Sequence, residues 1–142
     1  MSDHYEIVIS CFLGADTPDH VLDELRWHLG SVERRPAHLD EETAPYPLLY
    51  PDPEGRLPGG DVARLRLHRN ATAADGRHEW GLYVRTCFVD DEMGEVGTVL
   101  DLIAPYVSGE GPRYGGGVRD ILNGDLPGII TFADGGYAIG RW

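Results

Sequence analysis

Residues 61–89 read "DVARLRLHRNATAADGRHEWGLYVRTCFV", and how this stretch folds back on itself decides the architecture of the chain. Apolar and polar residues alternate on both sides of Asp75-Gly76, a pair that favours the two-residue turn of a β-hairpin. Centring the turn there couples positions whose numbers sum to 151. Leu67 then faces Val84, Leu65 faces Thr86 and Ala63 faces Phe88 on one side of the ladder. On the other, His68 faces Tyr83, Arg66 faces Arg85 and Arg64 faces Cys87. Alternate residues of a strand share a face, so Arg64, Arg66 and His68 form one row, and a one-residue slip would turn that row into the core.

This cationic row stands in an acidic chain. The 142 residues carry a formal net charge of -12, yet residues 62–89 hold five Arg against Asp75 and Glu79. That hairpin is net +3 and the remainder net -15. All 12 basic residues are Arg, and the absence of Lys excludes from this chain a Walker A loop, a protein-kinase strand Lys and Schiff-base chemistry. The acidic balance argues against nucleic acid, which needs a basic surface wider than one strand, and leaves room for a basic protein partner. No apolar run is long enough to span a membrane, and "MSDHYEIVIS" lacks the basic and apolar regions of a signal peptide, so a cytoplasmic protein is expected. The length suits a single α+β domain over 1–142. Cys11 and Cys87 are too few and too far apart for a disulfide framework and are expected as thiols.

Working outward, "YEIVISCFL" (5–13) reads as a strand with Tyr5, Ile7, Ile9, Cys11 and Leu13 on the core and Glu6, Val8, Ser10 and Phe12 on a mixed face. "TPDHVLDELRWHLG" follows as a helix with Thr17 as N-cap, Pro18 at N1 and Gly30 as stop, its stripe made by Val21, Leu22, Leu25 and Leu29. Trp27 points away from that stripe, either to be covered by the next segment or to serve as a binding hot spot. Residues 31–61 hold six of the ten prolines and no usable period, and Tyr46, Leu48, Leu49 and Tyr50 within them predict a docked flap.

"DDEMGEVGTVLDLIAPYV" is a second amphipathic helix, opened by acids and ended by Pro105, with Met93, Val96, Leu100, Ile103 and Val107 on one face. Ten of the 19 glycines fall between 109 and 140. Within them "YGGGVRD" and "GIITFADGGYAIGRW" suggest short strands with tight turns, while "GEGPRYGGGVRD", which has the look of a phosphate cradle without P-loop context, reads as part of a Gly-rich loop, 109–128, leading into the fourth strand. A hairpin at Gly135-Gly136 adds a last strand.

Strand, helix, flap, strand, strand, helix, strand is the split βαβ order of a ferredoxin-like fold: an antiparallel sheet with both helices on one face and the first and third strands central. Through "YEIVISCFL" with its following helix, "WGLYVRTCFVDDEM" and "GIITFADGGYAIGRW", the chain resembles a group of uncharacterised bacterial ferredoxin-like proteins. The resemblance implies the fold and no activity.

Helices on one face leave the other bare. That face is expected to carry Arg64, Arg66, His68, Tyr83, Arg85 and Cys87, and two facing guanidinium groups require an anion. Three sources are open: Glu6 or a flap carboxylate among Asp40, Glu41 and Glu42; a carboxylate or phosphate ligand; or the acidic surface of a second copy in a homodimer. Arg113, Tyr114 and Arg119 are within reach of the same ligand from the sheet edge. The leading expectation is an anionic small molecule bound on the open face under the flap. A dimeric α+β barrel enzyme acting through His68 as base or Cys87 as nucleophile is a variant. An acidic immunity or inhibitor type protein, masking a basic partner through its carboxylates and Trp27, is the alternative. His4, His20, His28, His38 and His78 show no metal-binding spacing, and neither metal nor cofactor is expected.

Overall fold

A computed structural model describes residues 4–69, 78–89, 93–122 and 127–141. In it, β1 (His4–Leu13), β2 (Val62–Arg69), β3 (His78–Val89), β4 (Arg113–Asp120), β5 (Gly128–Ala133) and β6 (Gly136–Arg141) form one sheet, with α1 (Asp19–His28) after β1 and α2 (Met93–Ile103) after β3. Neighbouring strands are all antiparallel, in the order β2-β3-β1-β4-β5-β6. Ile7, Ile9, Leu13, Leu82, Val84, Phe88, Ile130 and Phe132 from the sheet share one core with Val21, Leu25 and Leu29 at α1 and Val96, Val99, Leu100 and Ile103 of α2. Both helices therefore cover the same face of an α+β fold.

The strand order departs from the expected one. "RYGGGVRD", expected inside the loop 109–128, is strand β4 and lies beside β1, so "GIITFA" moves one place outward as β5 and the centre of the sheet is β1 and β4 rather than β1 and β3. The glycines are there for clearance. A Cβ at Gly116, whose φ is +130°, would stand 1.8 Å from the Val8 carbonyl oxygen, and one at Gly115 would stand 2.2 Å from the Phe132 ring. The ladder slips between Tyr114 and Gly116, so β4 bulges where it passes these neighbours. Glycine here lets two backbones approach closely rather than cradling a phosphate.

The hairpin β2–β3 pairs with numbers summing to 147, four less than expected. Arg66 faces Gly81, Arg64 faces Tyr83, His68 faces Glu79, and Arg85 faces Val62. An even shift keeps every side chain on its expected face while changing every partner. The Asp75-Gly76 turn and the acids at 90–92 lie outside the described residues.

Helix α1 begins one residue later than expected, with Pro18 in the N-cap position. The Thr17 hydroxyl instead donates to the Gly14 carbonyl at 2.6 Å. Gly30, at φ +79°, ends the helix as predicted: its N–H reaches the Trp27 carbonyl at 3.1 Å and the Ser31 N–H reaches Arg26 at 2.9 Å, the two bonds of a Schellman motif. Pro105 lies in a 3-10 turn, Ala104–Tyr106, and Val107 leaves the helix to bridge Leu13.

The flap docks on the helical side. Leu49 is 1% exposed in the main core, and the Leu48 and Leu49 N–H groups donate to His28, to Nδ1 at 3.1 Å and to its carbonyl at 3.0 Å. Arg35 clasps the flap to itself, donating to the carbonyls of Ala44 at 2.9 Å and Pro45 at 3.0 Å, with its guanidinium 5.3 Å over the Trp27 ring. Trp27 is thus buried under the following segment and is not an exposed hot spot. The flap meets the open face of the sheet near one end, where Arg85 donates to the Pro58 carbonyl and Arg56 meets His4 Nε2 at 2.9 Å; it does not line the groove beside Arg64 or Arg66.

Two expectations follow. Gly116→Ala should lower the unfolding free energy by about 2 kcal/mol or more, read by urea titration, since left-handed strain and a backbone clash coincide. Burial, against the opposing pull of Glu24, holds the His28 pKa below its ordinary 6.5. The unfolded chain therefore takes a proton first as pH falls, and stability drops below about pH 6.5. A His28→Asn variant should show a shallower loss between pH 7 and 5 than the parent.

Candidate functional site

The residues of the open face lie on rungs read directly from the two registers. Glu6 pairs with Cys87; Val8 with Arg85 and Val62; Ser10 with Tyr83 and Arg64; Phe12 with Gly81 and Arg66; Glu79 with His68 beyond the end of β1. The first two rungs form a closed polar unit. Glu6 accepts from Arg85 Nε and Nη2, both at 2.9 Å, and from Arg119 Nε at 3.2 Å. The Glu6 and Arg85 side chains are largely buried, so the anion that Arg85 needs is an internal one. Arg66 is not opposite Arg85, and the expected like-charge pair does not exist.

The next rungs open into a groove of about 1230 Å³. One wall is Arg64, Arg66, Leu67 and His68 of β2, the middle is Ser10, Phe12, Gly81 and Tyr83, and the far wall is Val107–Gly109 with Pro112, Arg113 and Tyr114. That far wall exists because the bulge turns the start of β4 away from β1, leaving Ser108 to bond the Phe12 carbonyl at 2.8 Å in its place. Arg113 lies flat against Gly109, where a Cβ would fall 1.8 Å from its guanidinium carbon, and donates to the Glu110 carbonyl at 3.0 Å. Ser108 Oγ is buried in this wall without a hydrogen-bond partner among the described residues.

Phe12 forms the floor. Gly81 has no side chain, so the Phe12 ring leans over it, 3.4 Å from the position a Cβ would take, and reaches His68 with ring centroids 5.1 Å apart. Three guanidinium groups, of Arg64, Arg66 and Arg113, line the groove against one carboxylate, Glu79. Neither Arg64 nor Arg66 has an ion-pair partner among the described residues, and both are exposed.

Of the six sequence-predicted residues, the structure brings together Arg64, Arg66, His68 and Tyr83 and sets Arg85 and Cys87 apart. Cys87 sits opposite Glu6, two rungs from Arg64, so the guanidinium expected to activate its thiol is not beside it. Cys11 does reach the groove, but burial pushes its thiol up to about 12, which keeps it protonated at neutral pH. Neither cysteine forms a disulfide. Arg113 and Tyr114 join the site as expected, whereas Arg119 is held by Glu6. Phe12 and Gly81 were not foreseen. Their signal was available, because a glycine inside a strand often marks a place where a neighbour closes in.

Among the described residues, no three His, Cys, Asp or Glu side chains converge as metal ligands, and no helix is long and apolar enough to cross a membrane. Comparison of the chain with protein-family models, with curated proteins and with solved structures finds no match.

The division of the face into a closed unit and an open groove has a measurable consequence. Glu6→Gln should reduce stability by about 1 kcal/mol in a denaturant titration, because Arg85 loses a largely buried counter-charge. Neutralising exposed Arg66 as Arg66→Gln should leave the same titration within about 0.5 kcal/mol of the parent.

Proposed function

We propose that this protein binds an anionic small molecule in the groove between β2 and the 107–114 wall. The observation that carries this reading is that Arg64 and Arg66, alternate residues on one strand face, keep no carboxylate partner among the described residues while Arg85 beside them is paired with Glu6. Two guanidinium groups without an ion pair among the described residues, in a chain of net charge -12, concentrate the local positive potential, which attracts a small anion and orients it through planar forks. We read the β2-β3-β1-β4 part of the sheet, with its helices after β1 and β3, as a split βαβ unit of the ferredoxin-like kind that β5 and β6 extend. On that reading the bare face is a property of the topology, and its arginines are what the chain adds to it.

The same charges favour a ligand over a face-to-face homodimer, because a two-fold axis through the groove would set Arg64, Arg66 and Arg113 against their own images. Binding is also favoured over nucleophilic catalysis, since the one thiol reaching the groove is held protonated.

Titration of the intact protein with inorganic phosphate, followed by amide chemical shifts, tests the reading. Saturable shifts should appear along β2 and β3, and Arg64→Gln or Arg66→Gln should weaken them about tenfold each, the loss of one charge-assisted bond. Added sodium chloride should weaken binding as well. Unsaturable shifts in the parent, or unchanged affinity in both variants, would overturn it.

A further inference from the structure

Resting on the anion reading above, we infer that the ligand carries a flat aromatic body next to its negative charge: an aryl carboxylate or aryl phosphate rather than a bare inorganic or aliphatic anion. The groove offers more than charge. Phe12 lies across Gly81 with 46% of its surface exposed, its ring edge running on to His68, so the two make a continuous π-surface laid over the sheet. Tyr83, 41% exposed, stands on the next rung toward Arg64, and Tyr114, 63% exposed, faces them from the far wall. A single exposed aromatic is ordinary; three around one groove are a patch that water solvates poorly.

The arrangement sorts the two parts of such a ligand. Arg66 is in register with Phe12 across Gly81, and Arg64 with Ser10 across Tyr83, so the backbone of each arginine stands two strand spacings, about 9.5 Å, from its β1 partner. A ring resting on Phe12 would direct a substituent toward β2, where the guanidinium groups receive it. A bare anion would use the arginines and leave the aromatic surface wet. A long aliphatic chain would bury area without the offset stacking that a ring gains on Phe12 and His68.

The test is a matched panel against the intact protein by isothermal titration or amide shifts: phenyl phosphate beside inorganic phosphate, and benzoate beside acetate. The aryl member of each pair should bind at least tenfold more tightly, and the pair with the lower dissociation constant identifies the headgroup. Phe12→Leu, which keeps an apolar side chain over Gly81, should shrink the aryl advantage several-fold, read as the ratio of the two affinities within each pair. Arg66→Gln should weaken both members of each pair alike. Equal affinity for aryl and bare anions would overturn this inference and leave the anion reading standing; absence of saturable binding by all four would overturn both. A concentration-dependent dimer that Phe12→Leu abolishes would also overturn it, by giving the aromatic surface to a second copy.

Discussion

Ten consecutive residues of β1 pair with ten of β3, and this ladder fixes which side chains meet the helices and which turn away. Because side chains alternate, the register that places Ile7, Ile9 and Leu13 in a core with Leu82 and Val84 must also place Glu6, Ser10 and Phe12 beside Arg85, Tyr83 and Gly81. The core therefore sets the geometry of the groove. Several fully buried side chains, each contributing about 1.5–3 kcal/mol, would have to leave the core before one groove residue could change face. The polar surface is held in place by apolar packing that it never touches.

The flap completes the opposite side. Without it, Trp27 and His28 would form an apolar and titratable strip along α1; with it, Leu49 enters the core and Arg35 covers the indole ring. The prolines of 31–61 limit the conformations of the unfolded segment and so reduce the entropy lost on docking. Since the segment is committed mainly to the helices, the sheet face stays open except at its Glu6 end, where the Pro58 carbonyl meets Arg85 and Arg56 meets His4. The two layers divide the molecule's tasks, with closure on one side and access on the other.

Most of the architecture was legible from periodicity and punctuation: both helices, the first three strands, the terminal hairpin and the docking of a proline-rich segment. Each rests on local rules in which the residue types favour the structure that tertiary packing also requires. Strand β4 was only half legible, because "RYGGGVRD" reads both as a short strand and as a glycine-rich loop, and its glycines find their use only where close neighbours leave no room for a Cβ. The hairpin register was misplaced because it was read from the local preference of Asp75-Gly76 alone, whereas the observed pairing of Val62–Arg69 with His78–Arg85 sums to four less. An even displacement spared the face assignment, so Arg64, Arg66, His68 and Tyr83 were found together although their predicted pairings were not. Cys87 and Arg85 were lost from the site by that same displacement, which moved Arg64 two rungs from the one and Arg66 away from the other.

The sheet ends in two unlike rims. Outer strand β2 presents Arg64, Arg66, His68 and Arg69, so a second β2 approaching to continue the ladder meets a row of like charge before any backbone bond forms. Outer strand β6 presents Tyr137, Ala138, Ile139 and Gly140, with Ile139 exposed, and has its one cationic residue, Arg141, at its last position. The cationic row thus guards its own border against templated stacking along its length, while the border at β6, six residues long, relies mainly on its brevity for the same protection.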